Sequence, residues 1–181
     1  HLLRLKNDSL MVSYKTLNKD NSKLNCRIKG LNNYSPKRII LDNNLQTKIN
    51  SYVKKTANKE NTIIFYNQAN KSKILDFKKK KIQLIKSKVD KQGKFDVKTI
   101  LKKLYKNNCR NLLIEGGDCL TSHLLKNRIF NKFYLYKSPK NISKKTEYLK
   151  FNSLDVLKKN YKNKFNLNLF LGKDKITLYK N

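Results

Sequence analysis

Ile114-Glu115-Gly116-Gly117-Asp118 is the stretch whose residue types and spacing could do chemistry: an apolar run ends in a carboxylate and a glycine pair, and a helical pattern starts directly afterwards. Glycines at a strand-to-helix turn allow close backbone approach to a ligand, and the first amides of the helix are unpaired donors at the positive end of its dipole. Such a turn can hold a phosphate. Glu115, closing the strand, stands where open α/β sheets take their ligands. A Gly-Gly turn of this kind serves plain chain reversal equally well, so the rest of the chain has to decide.

The elements that would position this turn follow from hydrophobic periodicity. Strands are expected over 9–14, 37–42, 61–66 and 81–85, with a polar loop rich in turn formers over 15–23. From Asp96, a plausible N-cap, the period changes: Val97, Ile100, Leu101, Leu104 and Tyr105 recur at helical spacing. A strand over 110–115, a helix over 118–126, a strand over 132–136 and a helix over 154–159 come next. Strands over 165–171 and 175–179 close the chain, joined by Gly172-Lys173-Asp174 as a tight hairpin turn. Strands alternating with helices give an α/β sheet that is mainly parallel, with an antiparallel edge. Neither repeat nor linker interrupts the pattern, so one domain over 1–181 is expected. His1-Leu2-Leu3-Arg4 reads as the tail of a helix already under way, which implies truncation at the front.

The formal net charge of +31 would ordinarily point to nucleic acid or an anionic membrane. The positive charge is nearly all lysine, however, in a chain rich in asparagine and isoleucine and devoid of tryptophan, the composition of an AT-rich genome. Arginine is the residue suited to bidentate phosphate and base-edge contacts. A basic nucleic-acid-binding module, the alternative of a different class, would need one continuous basic face with interleaved aromatics. Lys78-Lys79-Lys80-Lys81 instead leads into Ile82-Gln83-Leu84-Ile85 and reads as a solvated loop and strand start. No apolar run reaches the ~18 residues of a membrane span, and no signal peptide is evident, so a cytoplasmic protein without specific nucleic-acid or membrane partners is expected. Cys26, Cys109 and Cys119 are odd in number and share no C-x-x-C spacing; they read as reduced, half-buried side chains rather than as a zinc site.

In sequence order, Leu3-Arg4, Asp8 to Val12, Thr16 to Arg27, Ser35 to Asp42, Ile114 to Gly117 and Phe133 to Lys140 resemble the reductase domain of the bifunctional riboflavin biosynthesis proteins RibD. The resemblance runs from His1 to the C-terminal hairpin. It implies a dihydrofolate-reductase-like fold and NADPH-dependent reduction of 5-amino-6-(5-phosphoribosylamino)uracil to the ribitylamino compound. Hydride would pass to C1 of the ribose. Such chemistry asks little of protein acids or bases, because the cofactor carries the hydride and the site supplies orientation and electrostatics. No catalytic acid or base is therefore assigned.

Carried over by position, the resemblance places Arg4, Leu24, Arg27 and Glu115 against substrate. It places Thr16, Asp20, Asn43 and the run Gly117, Asp118, Cys119, Leu120, Thr121, Ser122 and His123 against NADPH. Arg4 and Arg27 are two of five arginines in the chain, and a fixed fork of donors suits a phosphate monoester. Glu115 can accept from the N–H groups of a pyrimidine. Taken singly, Arg4 could be a helix-end cation, Arg27 a surface charge and Asp20 a turn residue.

The sequence also departs from the pattern. A common Asp-Asp-Pro is here Asp20-Asn21-Ser22, and losing the proline loosens that loop. The first strand of the family would lie before His1, and no H-x-E with P-C-x-x-C occurs, so a zinc deaminase domain is expected upstream if it is fused at all. The expected protein takes a phosphorylated pyrimidine and forms a homo-oligomer. The runner-up enzyme is a reductase of the same fold acting on another pterin or pyrimidine.

Overall fold

The structure, a computed structural model, describes residues 1–139, 153–167 and 172–181. The chain divides into two compact units, His1–Gly116 and Gly117–Asn181, where the sequence pattern reads as one domain.

The first unit is built on five parallel strands: β1 (Ser9–Ser13), β2 (Lys37–Leu41), β3 (Thr62–Tyr66), β4 (Gln83–Lys86) and β5 (Leu112–Ile114), in the order β4-β3-β2-β1-β5. A parallel sheet covered on both faces demands apolar residues at successive positions. The sequence supplies them: Leu10, Met11, Val12, Ile39, Ile40, Ile63, Ile64 and Phe65 are all buried. Asp8 ties the start of β1 to the approach to β5, its Oδ2 accepting from the Arg110 and Asn111 amides at 2.9 and 2.8 Å.

Three of the helices in this unit are longer than one turn: α2 (Tyr14–Asp20), α4 (Lys71–Lys79) and α5 (Val97–Lys106). The short α1 (Leu2–Leu5) and α3 (Tyr52–Lys55) complete the set. The loop expected over 15–23 is in fact mostly α2. Ser13 leaves the strand extended and its Oγ caps the Thr16 amide, while Leu17 is fully buried, so one cap and one apolar anchor outweigh a polar composition. The lysine run likewise is not a loop: Lys78 and Lys79 end α4, which buries Phe77, and β4 starts two residues later than expected. Lysines in the last turn of a helix complement its dipole. The same placement recurs in α2, α3 and α5. Asp96 does cap α5, accepting from the Lys98 amide at 3.0 Å. Its carboxyl is held below the ordinary range, first by the Thr99 hydroxyl. On that helix Val97, Ile100 and Leu104 are buried, whereas Tyr105 faces out under the Arg110 guanidinium.

Two cations are folded into this core. Lys54 pairs with Asp76 and lies over the Phe77 ring, 4.0 Å from its centroid, linking α3 to α4. Arg38 is satisfied by neutral acceptors alone, Thr56, Asn61 and Thr62, and its burial lowers its pKa. Both are therefore committed to packing, and neither is a spare charge for a ligand.

The second unit carries α6 (Asp118–Lys126), α7 (Ser153–Asn160) and an antiparallel sheet of β6 (Lys132–Lys137), β7 (Lys164–Leu167) and β8 (Lys175–Lys180) in the order β6-β8-β7. Phe133 stands opposite Tyr179 in the register, and Leu125, Leu157, Tyr161 and Tyr179 form the buried cluster beside these strands. The Tyr161 hydroxyl donates to the Leu125 carbonyl at 2.6 Å. Gly172 in the expected hairpin turn has φ +63°, which glycine adopts without strain. Residues 168–171 of the expected strand, and Lys140 of the last family segment, lie outside the described residues. The architecture is thus the expected α/β class, with the antiparallel strands forming their own sheet among the described residues. Of the cysteines, Cys26 and Cys109 are buried and Cys119 is exposed, and all three are free.

Candidate functional site

The chain brings Arg4 and Glu115 together from opposite ends of the first unit. Arg4 sits in the single turn of α1, and Glu115 follows β5. The ladder continues one residue past β5, because the Glu115 amide donates to the Met11 carbonyl at 3.0 Å, so the backbone under this carboxylate is fixed by the sheet. Arg4 Nε donates to Oε1 at 2.8 Å and Nη2 to Oε2 at 2.7 Å, a two-pronged pair of the strong, charge-assisted kind. Arg4 Nη1 donates to the Asn25 carbonyl at 3.1 Å. The hydrogen bond to Glu115 raises the Arg4 pKa against the opposing effect of burial.

The segment that follows α2 forms the next part of this site. Leu24 is buried in the core with φ +54°, so its backbone rather than its side chain is what it can offer a ligand. Asn25 braces Arg4 through its carbonyl, and its Oδ1 is buried without a hydrogen-bond partner among the described residues. Arg27 is exposed; its amide donates to His1 Nδ1 at 3.1 Å, and no partner holds its guanidinium among the described residues. Three of the four residues expected against substrate thus converge, Arg4 and Glu115 directly and Leu24 beside Asn25. Neither Asn25 nor the Arg4–Glu115 pair carries a local signal in the sequence, since 111 positions separate the paired residues.

The residues expected against NADPH fall at the carboxyl ends of the strands and on α6. Thr16 lies in the first turn of α2 with its hydroxyl 3.2 Å from that of Ser13, and Asp20 is the exposed last residue of the helix. Asn43 follows β2. Its carbonyl accepts the Asn67 and Gln68 amides, its Nδ2 donates to the Gly93 carbonyl at 3.5 Å, and its Oδ1 is buried with no partner among the described residues. Buried polar atoms are ordinarily satisfied. A third such atom, Asn44 Oδ1, lies in a residue lining a cavity of about 420 Å³ with Gln68, Ala69, Asn70 and Lys73. That cavity opens beyond β2 and β3 at the start of α4, where Asn70 caps the helix by accepting from the Lys73 amide.

In the second unit, Gly117 is the N-cap of α6, with φ −71° and ψ 175°, a conformation open to any residue. Having no side chain, it makes no side-chain cap to the helix. The Asp118 and Ser122 side chains have other work. Asp118 Oδ1 accepts from the Ser153 amide at 3.1 Å and from its hydroxyl at 2.8 Å, and the Ser122 and Ser153 hydroxyls lie 2.6 Å apart. These contacts fix α7 on α6. Thr121 is buried, Leu120 and His123 are half-buried, and Cys119 is exposed.

Comparison with known proteins places these features in a family. The model of the RibD C-terminal domain matches residues 1–162. The riboflavin biosynthesis protein RibD of Actinobacillus pleuropneumoniae is 30% identical over 132 residues, 73% of this chain and 34% of that protein. The chain spans about a third of the length of the curated relatives it matches. Among solved structures, RibD of Acinetobacter baumannii superposes with TM-score 0.71 at 17% identity, covering 99% of this chain and 48% of that one. The diaminohydroxyphosphoribosylaminopyrimidine deaminase/5-amino-6-(5-phosphoribosylamino)uracil reductase of Thermotoga maritima gives 0.68 at 22% identity, covering 99% and 47%. These two likenesses carry the fold, the dihydrofolate-reductase-like arrangement implied by the sequence motifs.

Proposed function

This chain belongs to the RibD C-terminal domain family, and we propose that it reduces 5-amino-6-(5-phosphoribosylamino)uracil with NADPH in riboflavin synthesis. The observation that carries the proposal is the Glu115 carboxylate, fixed by the β1 ladder and clasped by Arg4 at the carboxyl end of β5. A carboxylate accepts only, and a pyrimidine edge offers N–H donors, so the two are complementary. Arg27, exposed and unpaired among the described residues, supplies the fork that a phosphate monoester takes.

The cofactor reading has its own support. NADPH, when bound, supplies the hydride, which leaves the protein to bind, orient and exclude water. Asn43 Oδ1 and Asn44 Oδ1 are orphan acceptors that suit sugar hydroxyls or an exocyclic amine, and Lys73 is among the residues lining the neighbouring cavity. No residue is asked to act as a general acid or base. The Thermotoga maritima protein carries this same activity in its name.

A titration of nicotinamide fluorescence tests the cofactor. NADPH is expected to bind at least tenfold more tightly than NADH, about 1.4 kcal/mol. Lys73→Gln is expected to narrow that ratio while leaving NADH binding as it was. Equal affinities for the two nucleotides in the parent protein would contradict the NADPH assignment.

A further inference from the structure

We infer that Arg4 is a positioning residue rather than a phosphate ligand: it holds the Glu115 carboxylate in the orientation that reads the pyrimidine and leaves the phosphate to Arg27. This division of labour rests on the reductase reading above, and it departs from the expectation that both arginines meet the substrate directly.

The geometry separates the two cations. All three nitrogens of the Arg4 guanidinium are engaged: Nε and Nη2 by the two oxygens of Glu115, and Nη1 by the Asn25 carbonyl. Within the pair the Arg4 side chain is 16% exposed and that of Glu115 is 37% exposed. The cation therefore lies inward and the carboxylate outward, so it is Glu115 that an incoming molecule meets. A phosphate approaching Arg4 would face that carboxylate, and two acceptor-only anions repel. An N–H donor meets no such obstacle. Each oxygen of Glu115 spends one lone pair on Arg4 and keeps capacity for another donor. Because the fork is planar and engages both oxygens, it fixes the plane of the carboxylate as well as its position, which an ammonium cannot do. The Asn25 carbonyl braces Arg4 on the side away from Glu115's oxygens. Arg27 shows the opposite character, being exposed with no partner on its guanidinium among the described residues.

Two fragments of the substrate separate the roles by calorimetry: 5,6-diaminouracil for the ring and ribose 5-phosphate for the anion. Arg4→Ala is expected to weaken the ring fragment about tenfold and leave ribose 5-phosphate unchanged; Arg4→Lys should recover only part of the loss. Arg4→Ala combined with Glu115→Gln should bind the ring fragment no worse than the weaker single variant, because the two residues act as one unit. NADPH affinity, measured on the same samples, should match the parent, which distinguishes lost positioning from general unfolding. An Arg4→Ala variant that loses ribose 5-phosphate instead, losses that multiply in the double variant, or a parent protein that ignores the ring fragment would each overturn the inference. Binding is read apart from turnover, so a protein that binds the fragments as described and yet oxidises no NADPH would contradict the reductase reading and leave the role of Arg4 standing.

Discussion

Replacing Glu115 by alanine is expected to lower kcat/KM for the phosphorylated pyrimidine by about ten- to a hundredfold, corresponding to about 1.5–3 kcal/mol for hydrogen bonds to a charged group. Two effects add. The ring loses its acceptor, and Arg4 is left part-buried with two of its three engaged nitrogens unpaired. The second effect lowers stability too. Solvent reaches this pair, so the stability loss should stay well below the 3–5 kcal/mol typical of breaking a fully buried ion pair. Glu115→Gln keeps the shape and one acceptor and should fall between parent and alanine. Steady-state kinetics with a parallel thermal melt separates the two contributions. A Glu115→Ala variant with parental kcat/KM would remove the carboxylate from the substrate site.

The second large effect is expected at Arg27. Arg27→Ala should raise KM for the phosphorylated substrate about ten- to a hundredfold and leave the Kd of NADPH unchanged, since a bidentate, charge-assisted contact is worth about 1.5–3 kcal/mol. Arg27→Lys should recover only part of that. Phosphate binding far from the reacting carbon also helps to orient it, so kcat is expected to fall as well. Little stability should be lost, because the side chain is exposed and holds nothing else among the described residues. Parental substrate kinetics in Arg27→Ala would make it a surface charge.

Much of the scaffold was legible in the sequence because a parallel sheet writes its burial into consecutive residues. Met11, Ile39, Ile40, Ile63 and Ile64 announce strands covered on both faces. Helices with one apolar anchor were harder to read. Helix α2 buries only Leu17 in a polar stretch, and its start depends on the Ser13 cap, which composition does not reveal. In α4 a lysine-rich surface hid Ile74 and Phe77.

The candidate site was legible in part. Glu115 and Arg27 could be singled out by residue type and motif, but the partnership of Arg4 with Glu115 could not, because it closes over 111 positions and exists only once β5 lies beside β1. The same holds for the partnership of Asp118 and Ser122 with Ser153, which closes over 35 and 31 positions. Short polar side chains beside a helix start serve a ligand or a neighbouring helix equally well, and only tertiary packing decides between them.

The most direct test of the account is the absorbance of NADPH followed in the presence of the purified protein and 5-amino-6-(5-phosphoribosylamino)uracil, with the product identified by mass. The account predicts oxidation of NADPH that depends on the pyrimidine, a product heavier by two hydrogen atoms, and a rate that falls about ten- to a hundredfold in Glu115→Ala. NADPH that stays reduced with this substrate, or a rate indifferent to Glu115, would contradict it.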